Sequence, residues 1–231
     1  MHPENFCRKV CEHRAHIGIA HDGDADRVLL CDETGALVDG DDIMAIIGLD
    51  MLEAGGLAQN TIVATVMSNA GLATAIAPAG GRVVRTPVGD RNVIDEMLRH
   101  GFNFGGEQSG HVILRDHSTT GDGLVAALQI LRIMKAKDAP LSRLARCWAR
   151  FPQVVTNILV REKIPFDSLN GVLQMVAQAE EAVKPGGGRV FLRYSGTEPK
   201  ARLLIEGRDP AVLQRWSARI GEAIKKQVGA R

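Results

Sequence analysis

From residue 61 onward, β-branched runs and helical spacings take turns along the chain, and that alternation admits few architectures. Thr61 to Met67 reads as a buried strand, followed by a helix from about Leu72, a strand at Arg82 to Thr86, a helix from Val93 to Arg99 and a strand near Phe102 to Phe104. Strand and helix in succession build an α/β fold. Upstream, His16 to Ala20 and Arg27 to Cys31 read as two strands joined by the acidic turn Asp22 to Asp26. Gly40-Asp41-Asp42 introduces a helix on Ile43, Ile46, Ile47, Leu49, Met51 and Leu52, with an aspartate cap and a Gly55-Gly56 stop. At Phe151-Pro152 the rhythm changes: strand Val154 to Arg161, helix Leu169 to Val183, a glycine-rich turn at 185–188, then strands Val190 to Arg193 and Ala201 to Glu206. A last helix follows, capped by Asp209, with Pro210 in its first turn, and runs to about Val228. Two strands in direct succession mark an α+β module and set a boundary near residue 150.

Composition excludes several kinds of partner. The 231 residues are 45% hydrophobic and 24% charged, the balance of a folded soluble protein. Lys and Arg total 28 against 27 Asp and Glu, so no global field draws the chain to nucleic acid or to a membrane surface. Aromatics at 4% are too few for base-stacking platforms. A small-molecule ligand is expected. No run approaches the 18 apolar residues of a membrane span, and the first residues lack the basic and apolar regions of a secretory signal, so a cytoplasmic location is expected. Four thinly spread cysteines are expected to stay reduced. Cys7, Cys11, His13 and His16 cluster in sequence, but a helix placing Cys7 and Cys11 on one face accounts for them without zinc.

Chemistry concentrates in three loops. In Asp22-Gly23-Asp24-Ala25-Asp26-Arg27, carboxylates fall at every second position, which in an extended loop aims them to one side. Three ionised carboxylates are hard ligands suited to Mg²⁺ or Ca²⁺. An EF-hand is excluded because its sixth position, which requires glycine, holds Arg27. A solvated acidic turn, and an Asp-x-Asp phosphoryl-accepting motif on Asp22 and Asp24, are the alternatives. In Gly105-Gly106-Glu107-Gln108-Ser109-Gly110-His111, Glu107 and Ser109 can share the hydroxyls of a sugar, with His111 as a nearby donor or proton carrier. In Arg193-Tyr194-Ser195-Gly196-Thr197-Glu198-Pro199, bracketed by strands, Gly196 allows backbone N–H groups to turn inward and Ser195 and Thr197 add hydroxyls. Arg193 and Arg202 supply guanidinium partners for an anion. Each of the last two, taken alone, is equally an ordinary glycine-rich turn.

Together and in this order, the three loops resemble the α-D-phosphohexomutase superfamily. Within it, Pro87-Val88-Gly89-Asp90-Arg91, Gly106 to His111 and Ser195 to Pro199 look most like the bacterial phosphoglucosamine mutases. The resemblance covers nearly the whole chain. It implies an α/β phosphohexomutase architecture: residues 1–38 as the last part of the second domain, 39–148 as a complete third α/β domain, and 151–231 as the C-terminal α+β domain. It further implies Mg²⁺ on Asp22, Asp24 and Asp26, sugar reading by Glu107 and Ser109, and phosphate binding by Arg193, Ser195, Gly196, Thr197 and Arg202. Arg27 and His111 are then catalytic residues, Arg27 beside the transferred phosphoryl group. The implied reaction converts glucosamine 6-phosphate to glucosamine 1-phosphate, and the implied ligands are a hexosamine phosphate and a bisphosphorylated sugar intermediate.

The departures matter equally. The family's phosphoserine lies in a Ser-x-Ser-His-Asn-Pro-like loop of its first domain, and these 231 residues contain none. The missing N-terminal domain is therefore an implied partner, and the chain alone is expected to be inactive; a non-catalytic phosphosugar-binding or interaction protein, or another phosphohexomutase acting on glucose or mannose phosphates, is the alternative. A homodimer is one assembly compatible with the sequence. Asn92 stands where an aromatic is common, and Tyr194 and Lys200 depart from the family wording within the phosphate loop.

Overall fold

A computed structural model describes residues 3–230. The chain divides into two units between Ala149 and Arg150, where the change of rhythm places the boundary. In chain order the first unit contains α1 (Pro3–Glu12), β1 (Ile17–His21), β2 (Val28–Asp32), β3 (Leu37–Val38), α2 (Gly40–Glu53), β4 (Thr61–Thr65) and α3 (Ala70–Ile76). β5 (Arg82–Thr86), α4 (Asp90–His100), β6 (Phe104–Gly106), β7 (Val112–Leu114), α5 (Gly123–Lys137) and α6 (Leu141–Leu144) complete it. The second unit contains β8 (Gln153–Leu159), α7 (Val172–Val183), β9 (Arg189–Tyr194), β10 (Lys200–Glu206) and α8 (Pro210–Val228).

The α/β alternation produces a four-stranded sheet in the order β5-β4-β6-β7, with β4 parallel to β5 and β6, and β7 antiparallel to β6. Because side chains alternate across a strand, Ile62 and Ala64 of β4 face a core shared with α2, α3 and α5. Val63 faces the other way, onto Val93 and Met97 of α4. The sheet is thus covered on both sides, as parallel strands require. α2 starts from a capping box made of aspartates. Asp39, in extended conformation, accepts from the Asp41 and Asp42 N–H groups, and the Asp42 carboxylate accepts from Asp39 N–H. The cap is therefore Asp39, one residue before the Gly40-Asp41-Asp42 string that sequence pointed to. The helix ends at Glu53, with Ala54 as its C-cap just before Gly55-Gly56.

β1, β2 and β3 form a separate antiparallel sheet, in which β1 pairs with β2 alone among the described residues. Leu30 and Val38 join the core of α2 and α5, while α1 covers the opposite face, its Phe6 and Val10 closing over Gly18. α1 carries both Cys7 and Cys11, the helical placement expected for them. The unit α1-β1-β2 has the same plan as α4-β6-β7: a helix, a strand, a short polar loop and an antiparallel return. The loop is Asp22–Arg27 in one copy and Glu107–His111 in the other.

The second unit is an antiparallel sheet in the order β8-β10-β9, packed on α7 and α8 through Ile158, Leu203, Ile205, Val172, Ile220 and Ile224. Asp209 caps α8 on the Ala211 and Val212 N–H groups, with Pro210 in the first turn, as read from sequence. Glu206 is fully buried and is held by Arg189 and Gln153, so its charge is compensated. Among the described residues no helix is long and apolar enough to cross a membrane.

Candidate functional site

The Asp22–Arg27 loop does bring its carboxylates together, but not by extended alternation. The chain turns, with Ala25 N–H donating to Asp22 O at 3.3 Å and Ala25 itself in the left-handed region at φ 61°. That conformation costs a β-carbon residue of order 1 kcal/mol, and the surrounding contacts hold it in place. The Ala25 carbonyl accepts the Gly123 N–H at the start of α5, and Asp22 Oδ1 accepts the Arg27 N–H at 3.2 Å. As a result one carboxylate oxygen each from Asp22, Asp24 and Asp26 lies within 4.8 Å of the others, the sole such cluster of His, Cys, Asp and Glu among the described residues. Desolvation raises the Asp26 pKa above the ordinary carboxylate range. The Asp24 charge raises it further, against a lowering contribution from His111. The guanidinium of Arg27 stands 3.7 Å from Asp22 and 3.8 Å from Asp26. Glu33, twelfth from Asp22, points elsewhere and binds Ser142.

The Glu107–His111 loop is sewn to this one. Val28 N–H donates to Gly110 O at 3.1 Å, Arg27 and His111 form an isolated β-bridge, and Gly40 N–H donates to Gln108 O at 3.2 Å. Glu107 and Ser109 point together, the hydroxyl 3.4 Å from Glu107 Oε2, while Oε1 accepts the Gly89 N–H at 3.0 Å. That second contact ties the Pro87–Arg91 string to the loop. His111 is buried, and its Nε2 lies 3.5 Å from Asp26 Oδ2. Sequence reasoning missed His21, whose Nδ1 lies 3.2 Å from Arg27 O; nothing but its place at the end of β1 marks it.

In the second unit the Arg193–Pro199 loop joins β9 to β10. Arg193 and Arg202 are directly opposite in the antiparallel register and so share a face of the sheet. Arg202 is engaged by Glu198 at 2.6 Å, and Glu198 also holds Lys200; hydrogen bonding and charge from Lys200 and Arg202 keep the Glu198 carboxylate below its usual range. Ser195 is buried, with its hydroxyl oxygen accepting the Glu198 N–H at 3.3 Å, whereas Gly196 and Thr197 are exposed. Gly196 has no positive φ, and a β-carbon there would meet nothing within 4 Å. The loop's own backbone does not need glycine, but the glycine leaves room above it. Lys163, unmarked in the sequence, donates to Ser195 O at 2.6 Å and reaches Gly196 O. Tyr194 stacks on Phe166 and donates to Ile164 O, a structural use for this departure from the family wording.

Comparison with known proteins agrees with this layout. Residues 39–151 match the family described as phosphoglucomutase/phosphomannomutase, alpha/beta/alpha domain III, and residues 155–223 match phosphoglucomutase/phosphomannomutase, C-terminal domain. A phosphoglucosamine mutase of Anaeromyxobacter sp. (strain Fw109-5) is 51% identical over 99% of this chain and 49% of its own length. Another from Geobacter metallireducens is 48% identical over 100% of this chain and 51% of its own. Among solved structures, a phosphoglucomutase/phosphomannomutase family protein from Burkholderia thailandensis shares the fold with a TM-score of 0.76 at 22% identity, over 99% of this chain and 52% of its own. An N-acetylphosphoglucosamine mutase of Aspergillus fumigatus, in complex with GlcNAc-6P and magnesium, gives 0.72 at 20% identity, over 90% and 48%. The chain spans about half the length of the relatives it matches. With the two family matches covering residues 39–151 and 155–223, on which the Glu107–His111 and Arg193–Pro199 loops lie, the chain belongs to the phosphoglucomutase/phosphomannomutase family of α-D-phosphohexomutases.

Proposed function

We propose that this chain is the sugar- and phosphate-handling portion of a phosphoglucosamine mutase, which interconverts glucosamine 6-phosphate and glucosamine 1-phosphate. The observation that carries the proposal is the seam where Asp22, Asp24 and Asp26 meet the Glu107–His111 loop, on a chain 51% identical along its length to a phosphoglucosamine mutase. In this reading residues 1–38 are the end of the family's second domain, 39–148 its third and 151–231 its fourth.

The three carboxylates fit Mg²⁺: the donors are hard oxygens already gathered within 4.8 Å, and their mutual repulsion is relieved by a cation. When bound, the ion polarises a phosphoryl group and offsets charge on its oxygens. Arg27, beside the carboxylates, holds oxygens of the same group with its outer N–H donors. Glu107 accepts from sugar hydroxyls and Ser109 both donates and accepts, which fixes the ring's orientation. Arg193, Thr197 and the space over Gly196 take the substrate phosphate, with Arg202 exchanging its Glu198 partner for phosphate oxygen and Ser195 holding the loop's shape. Sugar phosphates as ligands are supported by the Aspergillus relative's complex with GlcNAc-6P and magnesium.

Ser68, Ser109 and Ser195 are poor candidates for phosphoryl carriage: Ser68 and Ser195 are buried, and Ser109 contacts Glu107 within the proposed sugar loop. Binding and turnover therefore separate. Calorimetry of the 231-residue chain is expected to show Mg²⁺ binding that Asp24→Asn weakens, and glucosamine 6-phosphate binding that Arg193→Ala removes. A coupled assay with glucosamine 1,6-bisphosphate is expected to show no turnover. Turnover abolished by mutating a serine of this chain would overturn the reading.

A further inference from the structure

The buried ring of His111 has a polar atom facing each way. Nδ1 is buried with no hydrogen-bond partner among the described residues, while Nε2 faces Asp26 Oδ2 at 3.5 Å. A histidine that carries a ring proton keeps it where an acceptor waits, so the proton sits on Nε2, toward the carboxylate. The ring cannot swing away. A β-carbon at Gly121 would fall on His111 Nε2, Cε1 and Cδ2, all closer than 3.0 Å, so Gly121 closes one side. The backbone of His111 is fixed on both strands' ends, by the bridge to Arg27 and by its carbonyl accepting the Glu107 N–H at 2.9 Å.

We infer that His111 is a positioning residue for the cation: its Nε2–H holds Asp26 Oδ2 and thereby sets the orientation in which Asp26 presents its carboxylate alongside Asp22 and Asp24. The inference rests on the proposed Mg²⁺ site and adds a residue that is not itself a ligand. At 3.5 Å the contact is longer than a hydrogen bond, and a small rotation of Asp26 closes it. Groups behind metal ligands act in this way, and removing one typically lowers metal affinity 10- to 100-fold. The sugar loop thus contributes to the metal loop's geometry through a side chain as well as through backbone.

The test is Mg²⁺ affinity by titration calorimetry on the 231-residue chain, with thermal melts as folding controls. His111→Gln places an amide N–H near the position of Nε2; His111→Asn places it near Nδ1. The expected result is near-native affinity for His111→Gln and a loss of about tenfold or more for His111→Asn. In an Asp26→Asn background the same two substitutions should differ by less than about twofold, because the acceptor's charge has been removed. Equal affinities for the Gln and Asn variants, with Asp24→Asn still weakening binding, would overturn the positioning role and leave the metal site standing. An equal Gln-to-Asn difference with and without Asp26 would show a general structural effect and also overturn it. Wild-type chain that binds no Mg²⁺, or that Asp24→Asn leaves unchanged, would remove the metal site and this inference with it.

Discussion

Replacing Gly40 by alanine tests whether the position of the Glu107–His111 loop depends on how closely α2 approaches it. A β-carbon at residue 40 would meet Glu107 O closer than 3.0 Å, Gly110 N at 2.8 Å and Gln108 C at 3.0 Å. All three are backbone atoms, so no flexible side chain can turn aside, and either the loop or the helix start must move. Overpacking of this kind costs about 1–3 kcal/mol. Losing the Gly40 N–H bond to Gln108 O adds about 1 kcal/mol if the helix start moves. Gly40 is the first residue of α2, so little helix propensity is regained in return. A net loss of about 2–4 kcal/mol corresponds to a Tm lower by roughly 4–16 °C for a unit of this size. Gly23→Ala is the control: it lies in the carboxylate loop, its β-carbon would have nothing within 4 Å, and its effect should stay within about 0.5 kcal/mol. Scanning calorimetry reads both, and calorimetry with glucosamine 6-phosphate should show weakened binding for Gly40→Ala. If Gly40→Ala melts with the wild type and binds as tightly, the close approach does not hold the loop and the reasoning fails.

Three further outcomes follow from local chemistry. Gly196→Ala should leave the melting temperature unchanged, since its β-carbon meets nothing, yet weaken inorganic phosphate binding by filling the space above the loop; unaltered phosphate affinity would place the anion elsewhere. Glu198, lowered by Lys200 and then Arg202 from its ordinary 4.5, stabilises the folded state fully above that pH and loses the contribution as pH falls through its lower folded value. The stability gap between wild type and Glu198→Gln should therefore be level near neutrality and close in acid, and a gap still level at about pH 3 would refute the pairing. Burial pushes the Cys31 thiol up to about 12, so at pH 8 a maleimide should label exposed Cys11 and spare Cys31 until the protein is unfolded; mass spectrometry of peptides distinguishes them.

Elements with local punctuation were legible in the sequence. Asp209-Pro210 announced α8 to the residue, and β5 lay where its β-branched run predicted, because caps and turns are fixed by neighbours in the chain. α5 was missed although Asp122 caps it, accepting the Val125 N–H. Its sequence is apolar nearly all round, with Ala126, Ala127, Ile130 and Ile133 buried but Leu124 and Leu128 exposed, so its periodicity is blurred. β7 and β3 are too short for a pattern and exist because β6 and β2 are there to pair with. The carboxylates of Asp22, Asp24 and Asp26 were legible as a cluster, but the means of their convergence was not. No sequence rule assigns a left-handed conformation to Ala25, whose carbonyl is held by Gly123, nearly a hundred residues away. Lys163 entered its site for the same reason, brought by packing to Ser195, whereas His21, next to Asp22 in the chain, is placed by the β1–β2 hairpin.

The hairpin β6–β7 is flanked by β4 on the side where β1 of the matching hairpin, among the described residues, has no neighbour. A strand edge of this sort offers a row of unsatisfied N–H and C=O groups, and Ile19 at its middle is 38% exposed. That edge is therefore open to pairing with a further strand. A lysine in place of Ile19 would blunt that edge without touching the Asp22–Arg27, Glu107–His111 or Arg193–Pro199 loops.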